Sequence, residues 1–190
     1  MKRFDCLNIF KKTGALLSGH FLLTSGLHSE NYMQCAQVLQ YPVYSEMLCA
    51  ALAEKFAKFG INVVIGPALG GVIVSYEVAR QLKARNLFAE RDKEGKMLLR
   101  RNFSLSPEDK VLVVEDVITT GGSVKEVISL VRDSGSKLVG VGCIVDRSHG
   151  NADFGVPLKG LLKIDFKTYE AKDCPMCAKG LVPIKPGSRK

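Results

Sequence analysis

Val111-Leu112-Val113-Val114-Glu115-Asp116-Val117-Ile118-Thr119-Thr120-Gly121-Gly122-Ser123 is the stretch that decides the fold expected for this sequence. Its first four residues are aliphatic, the pattern of a parallel-sheet strand that is buried on both faces. Two carboxylates and a glycine-rich turn follow. Residues 124–131 then show the apolar spacing of a helix. The stretch therefore predicts the strand, turn and helix unit of a doubly wound α/β fold.

The turn Thr119–Ser123 has the features of an anion site. Its glycines let the backbone approach a phosphate, and the free N–H groups and dipole of the following helix favour negative charge. Glu115 and Asp116 would repel a phosphate if they pointed into the turn, so we expect them to face vicinal hydroxyls or a bound cation. A phosphorylated sugar has both features. The alternative interpretation is a buried strand followed by an ordinary solvated helix cap.

The central part of the chain repeats the same kind of unit. Residues 42–59 are predicted to form an amphipathic helix between Pro42 and Gly60, with Leu48, Leu52, Phe56 and Phe59 on one stripe. A short strand at 63–65 runs into the turn Gly66–Gly71 and a helix that reaches about Lys83. Further strands are predicted at 87–90, 138–145 and 161–165.

Right-handed crossovers make these strands parallel. Because ligands bind beyond the carboxyl ends of such strands, residues 66–71, 115–123 and 146–149 are expected around one crevice. For the turn 68–71, a plain strand-to-helix connection is an equally good interpretation.

The two ends of the chain are expected to lie outside this sheet. Residues 4–12 predict a helix that ends at Thr13-Gly14. Residues 19–26 and 32–38 are strand-like runs, which we expect to form a hairpin joined by residues 27–31. The 190 residues are thus expected to form one domain, with a core at about 42–155 and a hood formed by 1–41 and 156–190.

Charge and composition narrow the class of ligand and the location. The net charge of +8 comes from 27 basic and 19 acidic residues, which are scattered, so small anions are favoured over nucleic acid. The amino terminus has no apolar run of signal-peptide length, and no segment approaches a membrane span. The six cysteines show no disulfide framework. A cytoplasmic protein without a nucleic-acid or membrane partner is expected.

Cys174-Pro175-Met176-Cys177 is a CxxC pair. Such a pair is half of a zinc site or a redox couple, and a zinc site needs two further ligands. Cys143, His149 and other scattered residues are the available donors, so the sequence assigns no metal ligand. His20, His28 and His149 are expected to be surface or packing residues.

The stretch 111–123 resembles the phosphoribosyl-pyrophosphate (PRPP) signature of type I phosphoribosyltransferases, an acidic pair followed by a Thr-Gly-rich loop. The resemblance implies the fold of that family and displacement of pyrophosphate from Mg²⁺-PRPP by a nitrogen nucleophile. It implies that the loop holds the 5-phosphate and that the acidic pair holds the ribose hydroxyls. The residues implied to bind PRPP are Ala68, Leu69, Gly70, Gly71, Glu115, Asp116, Val117, Ile118, Thr119, Thr120, Gly121, Gly122 and Ser123.

Further features resemble the orotate-using branch of the family. Residues 19–29 are similar to its amino-terminal hood, and residues 174–180 with 185–189 are similar to the ending of one bacterial and archaeal subset. This branch implies orotate as the base, in pyrimidine biosynthesis, with Thr119 and Arg147 as its ligands. Arg147 suits this role because a guanidinium pairs with a carboxylate in bidentate fashion. A structural salt bridge is the alternative role.

The basic segment 91–101 is expected to be an exposed, flexible hairpin, with Arg100 and Arg101 belonging to the next strand. The resemblance implies a mobile catalytic loop here that is shared across a homodimer. It gives catalytic roles to Arg91, Lys93 and Lys96, together with Asp116. The segment contains no histidine, so no general acid is identified. A solvated charged hairpin is the alternative.

The sequence departs from the orotate branch at two positions. Relatives often carry a lysine where this chain has Thr24 and another where it has Gly70. A purine phosphoribosyltransferase and a PRPP-binding regulator that contacts nucleic acid are the remaining alternatives.

Overall fold

The computed structural model describes residues 5–23 and 25–186. Thr24 and residues 187–189, which entered the family resemblance, lie outside the described residues. The chain divides into two compact units, one within residues 1–38 and 165–190 and the other within residues 39–164. Among the described residues, no helix combines the length and the apolar character that crossing a bilayer requires.

The helices are α1 Cys6–Lys12, α2 Ala36–Leu39, α3 Pro42–Glu54, α4 Gly70–Leu82, α5 Gly122–Asp133 and α6 Pro175–Ala178. The strands are β1 Leu16–Leu22, β2 His28–Met33, β3 Val63–Pro67, β4 Arg85–Arg91, β5 Met97–Leu99, β6 Lys110–Ile118, β7 Lys137–Asp146, β8 Leu158–Lys163 and β9 Thr168–Tyr169. Short 3₁₀ turns cover Ala57–Phe59 and Ala171–Asp173.

Within residues 39–164, six strands form one sheet in the order β5-β4-β3-β6-β7-β8. All neighbouring pairs are parallel except β4 with the edge strand β5. The mainly parallel α/β fold predicted from the sequence is confirmed. The chain moves outward from β3 to β4 and then returns to β6 on the other side of β3. This reversal of strand order is the position at which doubly wound folds bind ligands.

The sheet is packed on both faces. On one face, Val124, Val127, Ile128 and Val131 of α5 form an apolar stripe against alternate residues of β3, β4, β6 and β7. On the other face, α3 and α4 contact the sheet and each other. There the ring of Phe56 fits against β7, where a Cβ at Gly140 would lie 3.0 Å and one at Gly142 3.1 Å from that ring. Two glycines of β7 thus make room for one aromatic ring.

The helix predicted for residues 42–59 is wrong at its carboxyl end. Helix α3 ends at Glu54, because Phe56 leaves helical geometry with φ of −115° and ψ of 2°. Phe56 is buried as expected, whereas Phe59 is 40% exposed rather than on the buried stripe. The apolar periodicity of the sequence continues beyond Glu54, so it does not mark the carboxyl end of the helix.

The hairpin predicted near the amino terminus is confirmed, but its second strand is wrong. β1 and β2 are antiparallel, and β2 covers His28–Met33, most of which was expected to be the connecting loop. The turn comes earlier, since Gly26 has a φ of +83° and the Leu23 amide donates to the Leu27 carbonyl. Residues 36–38, expected to be strand, belong to helix α2.

The segment 91–101 is a hairpin, but less of it is exposed than expected. Its strand β5 ends at Leu99, and Met97 is buried in the core. Arg100 and Arg101 do not belong to a strand, and the left-handed conformations of Arg101 and Asn102 (φ of 59° and 58°) turn the chain here. The placement of both arginines in a following strand was therefore wrong.

We expect Phe56→Ala to lower the free energy of unfolding by about 3–5 kcal/mol, because it leaves a cavity beside two glycines that cannot fill it. Phe59→Ala is the matched control. Its ring is exposed and lies 4.5 Å from the Lys159 ammonium, and we expect a loss of about 1 kcal/mol or less. Denaturant unfolding measures both, and equal losses would contradict the packing described here.

Candidate active site

Strand β6 and the start of α5 build the central part of the site. β6 runs through Glu115 and Asp116 to Ile118, and α5 begins at Gly122. Gly121 stands at the helix start with a φ of +75°, where a Cβ would also lie 2.7 Å from the ring of Phe154. Both the backbone angle and the close ring require glycine at this position. The turn consequently leaves the first N–H groups of α5 facing outward for an anion.

A cleft of about 240 Å³ opens over this turn. It is lined by Arg91, Glu115, Val117, Ile118, Thr119, Thr120, Gly121, Gly122, Ser123, Val124 and Glu126. The structure therefore brings Arg91 together with most of the residues assigned to PRPP from the sequence. Asp116 and the turn 68–71 are not part of this lining and lie beside it.

The second glycine turn lies directly against the acidic pair. A Cβ at Gly70 would be 2.6 Å from the carboxylate carbon of Asp116, and one at Gly71 would be 3.2 Å from Oε1 of Glu115. The expected meeting of residues 66–71 with residues 115–123 is thus present in the structure. Leu69 is 86% exposed, and the Ala68–Leu69 peptide bond is cis.

This contact bears on the lysine that relatives often carry at position 70. Asp116 Oδ1 accepts a hydrogen bond of 2.8 Å from the Val117 amide. Any side chain at position 70 would displace the carboxylate from the place that this bond gives it. The observed orientation of the Asp116 side chain therefore requires glycine at position 70.

Glu115 and Asp116 are half-buried neighbours beside the glycine turn 68–71. Burial, and then the neighbouring Asp116 carboxylate, raise the pKa of Glu115 well above its ordinary value. The Asp116 amide donates a 3.2 Å hydrogen bond to Glu115 Oε1, which opposes the rise without cancelling it. Glu115 consequently holds a proton at neutral pH, and the pair carries less than two negative charges.

The basic hairpin contributes Arg91 at the mouth of the cleft. Arg91 Nη1 lies 2.7 Å from Oε2 of Glu126 on α5 and donates to the Gly95 carbonyl, also at 2.7 Å. Asp92 orders the turn, because its Oδ1 accepts from the amides of Glu94 and Lys96, each at 2.9 Å. Lys96 lines an adjacent groove that also includes Arg91. Lys93 is in neither lining.

Glu126 was missed in the sequence analysis. Glu126 is four residues after Gly122. It therefore lies on the face of α5 that points toward the anion turn. That spacing was readable from the sequence. The carboxylate was overlooked because an acid close to a phosphate site is unexpected without the arginine that it holds.

Arg147 lies just beyond the carboxyl end of β7. Its amide donates a 2.8 Å hydrogen bond to the carbonyl of Ile118, the last residue of β6. The next loop is held by Asp146, whose Oδ1 accepts from the amide and the hydroxyl of Ser148 at 2.9 and 2.6 Å. The half-buried Arg147 is therefore at the predicted edge of the sheet, although it does not line the cleft of about 240 Å³.

Comparison with known proteins agrees with this geometry. Residues 44–169 match the profile of the phosphoribosyl transferase domain, which is more than half of the chain. The chain belongs to this phosphoribosyltransferase family. The family that the stretch 111–123 resembles is therefore confirmed.

Relatives of this phosphoribosyltransferase carry a more specific name. The orotate phosphoribosyltransferase of Desulforamulus reducens is 59% identical over 189 residues, which covers 100% of this chain and 98% of the relative. That of Pelotomaculum thermopropionicum is 60% identical over 190 residues, 100% of both chains.

Solved structures confirm the fold. The crystal structure of orotate phosphoribosyltransferase from Aeropyrum pernix has a TM-score of 0.71 at 25% identity, over 84% of this chain and 94% of the other. Adenine phosphoribosyltransferase from Trypanosoma brucei, solved in complex with AMP, pyrophosphate and ribose-5-phosphate, has a TM-score of 0.64 at 16% identity over 86% and 81%. At 16% identity, the comparison with the adenine enzyme supports the fold only.

The raised pKa of Glu115 predicts a pH dependence of stability. The folded state keeps a proton that the unfolded chain releases above about pH 4.3, so stability falls as the pH rises. Glu115→Gln imitates the protonated form and removes this dependence. The unfolding free energy of the variant should exceed that of wild type by an amount that grows as the pH rises from 5 to 8, from about 1 to about 3 kcal/mol.

Denaturant unfolding at a series of pH values measures this gain. Glu108→Gln, at an exposed acid in the turn before β6, is the control and should follow the wild-type profile. A stability difference between Glu115→Gln and wild type that stays constant from pH 5 to 8 would mean that Glu115 is ionised in the folded protein.

Proposed function

We propose that this chain is an orotate phosphoribosyltransferase. It transfers the ribose 5-phosphate group of PRPP to orotate and releases diphosphate, giving orotidine 5′-monophosphate for UMP synthesis. The observation that carries this proposal is identity of 59–60% along the full chain with relatives of that name. The cleft over β6 and α5 supplies the chemistry that the reaction needs.

The anion turn accounts for the 5-phosphate. The backbone N–H groups of Gly121 and Gly122, together with the hydroxyls of Thr119, Thr120 and Ser123, form the phosphate site at the start of α5. Val117 and Ile118 form the adjoining wall of the cleft. The positive end of the helix dipole adds to the attraction for a dianion.

The acidic pair accounts for the ribose. A protonated Glu115 donates to one hydroxyl of the vicinal diol, and the Asp116 carboxylate accepts from another. The negative charge that remains on the pair lies where positive charge develops on the ring as the bond to diphosphate breaks. Fixed charge directed at such a change is the strongest catalytic means available to a site of this kind.

The leaving diphosphate requires positive charge and N–H donors. The turn Ala68–Gly71 provides backbone N–H groups next to Asp116, without a lysine at position 70. Arg91, Lys93 and Lys96 of the basic hairpin provide the charge. Because Arg91 is paired with Glu126 in this structure, it leaves that partner when the hairpin closes over the diphosphate bound to the neighbouring subunit.

Magnesium enters as part of the substrate, bound to PRPP. Two carboxylates that share a proton are a poor resident site for a divalent cation, which fits a metal brought in with the diphosphate. When bound, the cation neutralises charge on the leaving group.

Orotate is placed at the edge formed by β6 and β7. The Arg147 guanidinium pairs with its carboxylate, and Thr119 contacts the ring from the cleft. The bond from the Arg147 amide to Ile118 keeps this residue at the end of the strand that carries the acidic pair.

We further propose a homodimer in which the basic hairpin serves the neighbouring subunit. Val43 and Met47 of α3 and Ile73 and Tyr76 of α4 are all at least 44% exposed. Ile73 and Tyr76 line an apolar groove together with Val72 and Phe88. An apolar face of this kind on two packed helices suits burial against a second copy.

In this proposal, the whole chain acts as a single phosphoribosyltransferase domain with a core and a hood.

We also propose a cytoplasmic location. The six cysteines, all within the described residues, form no disulfide, as expected in a reducing compartment.

The function is tested by turnover of orotate, adenine, hypoxanthine and xanthine with PRPP and Mg²⁺ on one preparation. We expect orotate to be used at least about 100-fold better than the purines, because a site that pairs a carboxylate rejects rings that lack one. If a purine is turned over faster than orotate, the purine is the substrate base and orotate is not. Salt-dependent binding of nucleic acid without any turnover would indicate a regulator instead.

Arg147→Ala tests the assignment of the base. Losing a buried bidentate partner should lower kcat/KM for orotate by about 100-fold or more, while the affinity for Mg-PRPP stays within about threefold of wild type. Arg85→Ala is the matched control, since Arg85 pairs with Asp109 at the amino end of the sheet. Orotate kinetics that respond equally to both changes would remove Arg147 from the base site.

A further inference from the structure

Four side chains with metal-binding atoms meet inside the unit formed by residues 1–38 and 165–190. They are His20, His28, Cys174 and Cys177, and one nitrogen or sulfur atom from each lies within 4.8 Å of all the others. Three of the four residues are buried, and Cys177 is half-buried. The histidines come from β1 and β2, whereas Cys174 is the N-cap of the short helix α6 and Cys177 lies within that helix.

The distances match a tetrahedron around one ion. Cys174 Sγ and Cys177 Sγ lie 3.5 and 3.8 Å from His20 Nε2, and Cys177 Sγ lies 3.3 Å from His28 Nδ1. Tetrahedral zinc, with bonds of about 2.3 Å to sulfur and 2.05 Å to nitrogen, requires sulfur-to-nitrogen edges of about 3.6 Å. The two ring nitrogens are 2.7 Å apart, closer than the edge of about 3.3 Å that zinc would impose.

The hydrogen bond on the far side of His20 prepares this ring to bind a metal. His20 Nδ1 lies 2.8 Å from the carbonyl oxygen of Leu181. A carbonyl only accepts, so Nδ1 carries the proton and Nε2 presents a lone pair toward the cluster. Backbone carbonyls that fix the tautomer in this way are the usual outer partners of metal-bound imidazoles.

Hydrogen bonds alone leave this cluster poorly satisfied. His20 Nε2 has a single lone pair, yet His28 Nδ1 and both cysteine sulfurs converge on it. One donor can use that lone pair, and the other groups then face each other in a buried space. A cation at the centre satisfies all four atoms at once, with both thiols as thiolates.

We propose that His20, His28, Cys174 and Cys177 bind one structural zinc ion. Two thiolates and two neutral imidazoles in tetrahedral array select zinc, and four protein ligands leave no position for water or substrate. The ion joins the β1–β2 hairpin to the carboxyl-terminal segment, which are more than 140 residues apart in the chain. A unit this small has little core of its own, and a metal is a common means of stabilising one.

Cys143, His149 and other scattered residues were named from the sequence as the available donors, and Cys143 and His149 belong to residues 39–164, the other compact unit. His20 and His28, expected to be surface or packing residues, are buried, and His20 Nε2 and His28 Nδ1 lie beside the CxxC pair. Their partners are too distant in the chain for a spacing motif to reveal.

Metal analysis of the purified full-length chain tests this proposal. After reconstitution with Zn²⁺ under reducing conditions and removal of loosely bound metal, we expect about one zinc per chain. Cys174→Ser, Cys177→Ser and His28→Ala should each lose this zinc and lower the melting temperature. Cys35→Ser, at a buried cysteine of the same unit outside the cluster, and His149→Ala should both retain it.

A measurement on the unaltered chain covers the case in which the variants fail to fold. Replacement of zinc by Co²⁺ should give the intense visible absorption of a tetrahedral thiolate site, and added Zn²⁺ should abolish it. Zinc should also protect Cys174 and Cys177 from alkylation until a chelator is added. No bound metal in the reduced chain, a Cys174–Cys177 disulfide, stoichiometric iron, or zinc that survives in a folded Cys174→Ser or Cys177→Ser variant would overturn the proposal.

Discussion

The close approach of two adjacent, half-buried carboxylates near the end of β6 is the interaction on which the site depends. Glu115 and Asp116 are adjacent in the chain and share a space closed by the glycine turn 68–71. Two full charges in that space would repel, so the folded protein keeps a proton on Glu115. The pair can then both donate to and accept from a diol, which neither residue could do alone if both were ionised.

The sheet topology determines where this pair is placed. β3 pairs with β6 through residues 63–65 and 111–113, and β6 then continues to Ile118 alongside β7. Beyond that pairing, the chain after β3 turns into α4 while β6 runs on toward α5. The space between the two turns is the crevice, and the close approach of Gly70 to Asp116 measures how narrow it is. Glycine at positions 70 and 71 is therefore a packing requirement of this crevice.

Much of this arrangement could be predicted from the sequence, because the signals are local. Four aliphatic residues followed by Glu115, Asp116 and a glycine turn specify strand, site and helix within thirteen positions. The errors occurred where local signals conflict with packing. Phe59 continued the apolar period after helix α3 had ended. The turn at Gly26 was placed too late because the strand-like run 19–26 includes this glycine. Contacts between distant residues, such as those of His20 with Cys174, leave no periodic trace at all.

The ion pair between Arg91 and Glu126 explains how an acid can stand beside a phosphate site. Glu126 lies on the same helix whose amino terminus attracts the anion, and an unpaired carboxylate there would oppose binding. Paired with Arg91, it instead orients a guanidinium across the mouth of the cleft at little net charge. Both partners are more than 40% exposed, so the pair is weak and easily exchanged. An exposed pair of this kind can release the arginine to an anion of higher charge density.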